Sequence, residues 1–388
     1  MRPIWKHGAR SHLFAAAALA AGLALVGAGH AGADTTANVD CTADPNALAT
    51  ALASPSLTDG TTLAIAGTCT GNFEITHSLT LAGSGAATLD AQGVGTVLTV
   101  DAGETVAISR LTITGGDAGG IENFGTLALA QSSVSGNSAA GVFFPVGGID
   151  NQGTLTLTHS SVNGNSAVGP VAEGGINNCG LAEACTVTLT QSTVSENNAT
   201  SLIRNARGGI TNQPGGTLTL TQTSVTGNVA NAFGGAVGGI LNISGTLTLT
   251  KTTVSGNSAS GSAAFGGVRN NPGAPLSITN STVNGNSASG SFVVGGIAND
   301  GPFTLTNSSV NGNSANSGAS FPRAATGGIA TGTDTLTVTN STVSGNEASA
   351  ASIAAGGIAK FSGTITLRNT TVVNNTPPNC DFSDPACA

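Results

Sequence analysis

The chain has 388 residues with 11 basic against 19 acidic side chains, a formal net charge of −8 that argues against nucleic acid and anionic lipid as partners. Only 8% of the residues are charged, but 39% are hydrophobic and these recur with a strict period, which excludes a disordered chain.

In chain order, Arg2, Lys6 and Arg10 give a positive start, Leu13 to Val26 form a short apolar run, and Ala31-Gly32-Ala33 reads as a small-residue cleavage site. Residues 1–33 are therefore expected to be a secretory signal peptide, with a run too short to span a bilayer. Its removal takes away three basic residues and no acidic one, which moves the balance from −8 to −11. No later stretch approaches eighteen apolar residues, so no membrane span is expected and the localisation reads as secreted or extracellular, including association with a cell surface. Residues 34–120 read as a cap followed by the first coils of the fold. Asp44-Pro45 before "NALATALASP" predicts a helix N-cap, a Pro at the first helical position and a short capping helix.

All six Cys follow the first segment and fall into near neighbours, Cys41 with Cys69, Cys179 with Cys185 and Cys380 with Cys387. An even count in an exported chain favours disulfides, and the sequential pairing is the one expected among fifteen. Neither short spacing matches a zinc ligand pair and no His lies nearby, so no metal or cofactor is expected.

From residue 121 to 375 the chain repeats. Nine copies of V-x-x-N begin at Val134, Val162, Val194, Val225, Val254, Val283, Val310, Val343 and Val372, with separations of 27 to 33 residues. Each is preceded by Gly-Gly-Ile or, at Val268, Gly-Gly-Val. Seven and five residues before each Val both positions are apolar, as in Leu247/Leu249, with Thr or Ser between them in eight copies. A period of two means strand, and a fixed period of this length means a solenoid. One repeat then holds three short strands, around Gly-Gly-Ile, T-L-T-L-T and S-T-V. Stacked at about 4.8 Å, they need few inward side chains because neighbouring turns supply the rest. The Asn of each V-x-x-N is expected in a tight corner, where a left-handed backbone and a stack of amides both suit Asn. The paired Gly marks another corner, needing either positive φ or close backbone approach. Residues 376–388, with Pro377, Pro378 and the Cys380–Cys387 loop, are expected to close the far end.

V-S-G-N-S-A followed by G-G-I resembles the repeats of right-handed parallel β-helix proteins, in particular the G-G-A-I and F-x-x-N repeats of polymorphic outer-membrane proteins, with Val in place of Phe. Asp59 to Gly93, "DGTTLAIAGTCTGNFEITHSLTLAGSGAATLDAQG", resembles the opening coils of the pectin-lyase-like superfamily. Together these imply an all-β chain folded as one right-handed parallel β-helix of about twelve three-stranded coils with a short N-terminal capping helix. The resemblance specifies function weakly, because enzymes, adhesins and scaffolds share the fold.

Three features are candidates for work. Outward Thr pairs, Thr156/Thr158, Thr188/Thr190, Thr219/Thr221, Thr248/Thr250, Thr304/Thr306 and Thr337/Thr339, with Ser277/Thr279 between, should form a flat two-column array. It resembles the ice-binding face of β-helical antifreeze proteins, although Thr is also simply a good solvent-facing strand residue. Glu122 and Asp150 each follow a Gly-Gly-Ile on adjacent coils, as a pair that could serve as acid and base in glycoside chemistry or hold a cation. Phe143, Phe144, Phe233, Phe265, Phe292 and Phe321 recur in the variable segment and form either an exposed apolar strip or a small core under loops. Basic residues are scattered singly, and the G-H-G and R-I-K signatures of polygalacturonases are absent. The reading these support is a non-catalytic extracellular interaction scaffold, adhesin-like, whose partner would be an extracellular glycan or protein. A polysaccharide lyase or glycoside hydrolase is the alternative, and an ice- or surface-binding protein the third reading.

Overall fold

A computed structural model of the chain describes residues 35–381, apart from 142, 181–183, 319–323, 333 and 351. A five-residue strand with Leu on one face and Thr on the other has an apolar side that it cannot bury alone. The chain buries it by coiling into a parallel β-solenoid of about 11 turns, all-β, the single right-handed β-helix expected from the repeat. One turn runs through Ile240–Asn242, Thr246–Thr250 and Thr253–Ser255. Each strand pairs in parallel with its counterpart one turn on, placing Ile240 on Val268, Leu247 on Leu276, Leu249 on Ile278 and Val254 on Val283. These side chains are buried and belong to one continuous core that extends from Val39 to Cys380.

Hydrogen-bonded ladders hold the corners. The Asn three residues after each Val is buried from Asn137 to Asn346. The Asn257 Nδ2 donates to Asn286 Oδ1 at 2.9 Å and to the Val225 carbonyl at 3.0 Å, and the same pattern recurs from turn to turn. The left-handed residue at this corner is the one before the ladder Asn, Gly in most turns, such as Gly256 at φ 62°, and Glu196 or Asn374 in two others, and not the ladder Asn itself. A second Asn ladder follows the Ile strand, in which Asn151, Asn178, Asn212, Asn242 and Asn270 link at 2.7–2.8 Å. The Leu and Val strands meet at a third corner, where one residue per turn takes positive φ, for example His159, Gln191, Gln222 and Lys251. The residue after it is a buried Ser or Thr, and the Thr252 hydroxyl donates to the Thr250 carbonyl at 3.1 Å. At the paired Gly the reason is close approach, because a Cβ on Gly239 would collide with the Gly267 carbonyl of the next turn.

The stretch between the Asn ladder and Gly-Gly, which reads as loop in the sequence, is a second lobe. In one turn it is Ser258–Phe265, which pairs in parallel with Ser287–Val294 of the next. Ala259 on the outgoing arm and Ala264 on the returning arm share a core made almost wholly of alanine, together with Ala230, Ala236, Ala288 and Val293. Alanine is what lets the two arms lie so close, since any larger pair would push them apart. At the N-terminal end the helix α1 (Ala47–Leu52) buries Leu48 against the first turn. Its N-cap is Asn46, with no side-chain capping bond, and not Asp44, whose carboxylate instead accepts the Asn46 N–H at 3.0 Å. Pro45 therefore precedes the helix and does not occupy its first position. Cys41–Cys69 and Cys179–Cys185 are disulfides, with Cα atoms 5.0 and 5.2 Å apart. The Cys380–Cys387 pairing falls on Cys387, which lies outside the described residues. No helix among the described residues is long and apolar enough to cross a membrane.

Candidate functional site

The returning arm of the lobe folds across the outer face of the Ile strands, and the seam between them is where the charged groups collect. One side of the seam is the residue just before each Gly-Gly, where Val146, Glu173, Arg207, Val237, Phe265, Val294 and Thr326 stack in register. The other side is the middle residue of each Ile strand, where Glu122, Asp150, Asn177, Thr211, Leu241, Arg269, Ala298 and Ala330 stack in the same way. Alternation makes these middle residues point away from the main core, so the lobe alone decides whether they are buried.

At its N-terminal end the seam is a polar network. Arg207 forms an ion pair with Glu173, of which only 2% remains exposed. Gln213 Nε2 donates to Glu173 Oε1 and to Asn177 Oδ1, both at 3.2 Å. Asn177 Nδ2 donates in turn to Asp150 Oδ1 at 2.9 Å, and Gln152 Nε2 reaches Asp150 Oδ2 at 3.3 Å. Glu122 is the register neighbour of Asp150, as the sequence predicts. Burial raises the Glu122 carboxyl above its ordinary range and the Asp150 carboxylate adds to this, while a hydrogen bond with the Thr96 side chain opposes both. Asp150 is raised by burial against the pull of the Asn177 and Gln152 amides. Glu173 is raised chiefly by burial, with Arg207 opposing and Asp150 reinforcing. The network links the Glu173–Arg207 pair through Gln213 and Asn177 to Asp150, and the half-buried Glu122 stacks beside Asp150, where it could position a polar group.

Glu173, Arg207, Asn177 and Gln213 had no place in the sequence-based site, although a signal existed. Aligning the repeats on Gly-Gly puts Glu173 and Arg207 in one column, and counting on from the Ile puts Asn177 beside Asp150. His159, on the turn of Asp150, occupies the positive-φ corner on a different face. Asp117 accepts the Gly95 N–H and is not part of the network.

The candidate Thr residues stack in register from turn to turn. Thr156, Thr188, Thr219, Thr248, Ser277, Thr304 and Thr337 form one column, and Thr158, Thr190, Thr221, Thr250, Thr279, Thr306 and Thr339 the other. A third column, Thr154, Thr186, Thr217 and Thr246, widens the face until Pro275 and Pro302 interrupt it. The Phe residues divide. Phe265 is buried in the seam with Val237, Leu241 and Val294, and Phe292 packs on it edge-to-face at 6.1 Å. Phe143, Phe144 and Phe233 are exposed, and Phe321 lies outside the described residues.

A shallow groove also runs along the positive-φ corner from Gly85 to Lys251, across consecutive turns. Gln131, Gln191 and Gln222 line it together with Ser133, Ser161, Thr193 and Ser224, and Arg110, His159 and Lys251 punctuate it. No carboxylate lines it. No protein-family model matches the chain, and no curated protein matches it.

Proposed function

We propose that the chain is a secreted, non-catalytic β-helix scaffold that binds an extended extracellular polymer, a glycan above all, along its length. The observation that carries this reading is the groove from Gly85 to Lys251. On an acidic chain it offers amides, hydroxyls, Arg110, Lys251 and the His159 imidazole along turns that repeat at about 4.8 Å, without a carboxylate. Groups repeated at that spacing suit a chain-like ligand lying parallel to the solenoid axis. The Cys41–Cys69 and Cys179–Cys185 disulfides support an oxidising destination, and with it the reading of residues 1–33 as a signal peptide. Kinship with polymorphic outer-membrane repeats and with the pectin-lyase-like opening coils belongs to the same proposal, supported by the in-register stacking of the quoted motifs.

The second reading, a glycoside hydrolase or polysaccharide lyase, rests on the raised carboxyls of Glu122 and Asp150 on adjacent turns. One experiment separates the two. The full chain is screened on a glycan array, and array-positive polysaccharides are incubated with it and assayed for new reducing ends and unsaturated products. Binding without product, weakened by Lys251→Ala and Gln191→Ala, is the expected result. Product that disappears in Glu122→Gln would replace the scaffold with the hydrolase, and binding to no glycan would remove the groove as the reason for the proposal.

A further inference from the structure

We propose that the outer edge of the alanine-packed lobe is a contact for the interfacial region of an uncharged lipid bilayer. The observation is a set of apolar side chains at three of four successive reversals between outgoing and returning arms, the second of the four carrying Gly169-Pro170. Phe143 and Phe144 are 73% and 64% exposed, Leu202 and Ile203 84% and 65%, and Phe233 77%. They lie close along the edge, because the Phe233 N–H bonds the Ser201 carbonyl at 3.0 Å and the Gly234 N–H bonds the Arg204 carbonyl at 2.7 Å. Gly141 bonds Val168 and Gly169 bonds Thr200 in the same way, so the reversals follow one another turn by turn. Farther along, Gly261-Ser262 and Gly290-Ser291 stand at the equivalent place.

Shape and charge select the occupant. The edge is the rim of a lobe only two arms thick, so its side chains project and do not form a flat patch. A folded protein surface would have to supply a matching trench, whereas the headgroup region of a bilayer yields around projecting Phe, Leu and Ile side chains. Among the described residues of these four reversals the charged group is Arg204, exposed beside Ile203, and there is no carboxylate, although acidic residues outnumber basic ones 19 to 11 in the chain. A lone cation beside apolar side chains suits the phosphate of a zwitterionic headgroup, while the chain's overall negative charge opposes a strongly anionic surface. This contact does not depend on the groove or on its ligand.

The test is flotation of the full chain with vesicles of phosphatidylcholine, alone and with phosphatidylglycerol added. The wild type is expected to float with phosphatidylcholine alone. Phe143→Ser/Phe144→Ser and Leu202→Ser/Ile203→Ser should each lower the bound fraction roughly fivefold or more, and Phe233→Leu should keep it, since burial of apolar groups supplies the affinity. All five side chains are exposed, so the denaturation midpoint of each variant should match the wild type, which shows that any loss is not unfolding. Failure to float would overturn the proposal, as would flotation that requires phosphatidylglycerol and survives the Ser substitutions. A dimer in sedimentation equilibrium that the same substitutions abolish would give the edge to a second copy instead.

Discussion

The main core and the seam are built on the same rungs, yet only one of them repeats. In the main core each turn from 121 onward offers much the same four inward positions, as in Ile240, Leu247, Leu249 and Val254, and nearly every such residue is fully buried. The seam changes along its length. It begins with Glu122, Asp150, Glu173, Arg207 and Asn177 and continues with Val237, Leu241, Phe265, Val294 and Ala298. A rung of the main core must match the turns before and after it, and an odd side chain there leaves a cavity or a clash in both. The seam joins one arm to one outer face, so a hydrogen-bonded ionic cluster and an apolar cluster can fill it equally well. Arg269 sits in the apolar half on those terms, with its guanidinium 4.8 Å from the centre of the Phe265 ring and paired with Asp300. Strict repetition marks the part of the molecule that specifies the fold, and variation marks the part free to carry something else.

The comparison breaks most sharply at Arg207. Arg207→Ala leaves Glu173 buried without its cation, and should cost about 3–5 kcal/mol near neutral pH, read as a shift in denaturant midpoint. Replacing both residues by Met should recover most of that cost, because an apolar pair fits the seam as Val237 and Leu241 do. A single-variant cost below about 1 kcal/mol would mean that the pair is not ionic in the folded chain. Next comes one chemical change made in both regions of a single turn. Leu249→Ala in the main core should cost about 2–5 kcal/mol. Leu241→Ala, on the same turn but in the seam, should cost visibly less, since the lobe can settle onto the smaller residue. Equal costs would erase the distinction between the two regions.

The two regions were also unequally legible in the sequence. Ile, Leu and Val at period two, repeated each turn, announce the strands, their inward faces and their stacking partners, because one turn's pattern predicts the next. The lobe was hidden by its composition. Ser-Ala-Ser at 258–260 alternates too, but alanine and serine differ little in hydropathy, and a core made of alanine looks like a loop. The seam was hidden by spacing. Glu173 and Arg207 are 34 residues apart and meet only because one turn there has that length. Glu122 and Asp150 were found because both follow the same anchor, Gly-Gly-Ile, and Glu173 escaped because the position before that anchor is Ala, Val, Glu, Arg, Phe or Thr in different turns. At the corners, G-N was read for its Asn, while the residue that takes positive φ is the Gly.

The carboxyls of the seam also set the sign of the pH dependence. Folding raises the affinity of Glu122, Asp150 and Glu173 for a proton, so each is harder to keep ionised in the folded chain than in the unfolded one. Stability from these groups is then greatest below their unfolded values and is lost as pH rises through their raised folded values. Lowering the pH from neutral towards the ordinary carboxylate range, about 4, should therefore raise the denaturant midpoint modestly. Glu122→Gln should reduce that rise without removing it, since Asp150 and Glu173 remain. A midpoint that falls steadily over the same window would show that paired, not buried, carboxylates dominate.

The smallest effect is expected on the Thr face, which is as regular as the main core although nothing in the fold requires it to be. Thr248 and Thr250 are half-buried in their columns, and their inward neighbours Leu247 and Leu249 already fix the strand. Thr248→Val keeps the branched shape and removes a hydroxyl that faces solvent, so stability should stay within about 0.5 kcal/mol. If regularity served only the strand, ice recrystallisation and thermal hysteresis would be unaffected by the wild type at high micromolar concentration, and that is the expected result. Inhibition of ice growth by the wild type that Thr248→Val weakens would instead assign the array a ligand surface. The rule that repetition marks what the fold requires would then fail on a face where repetition is visible from outside.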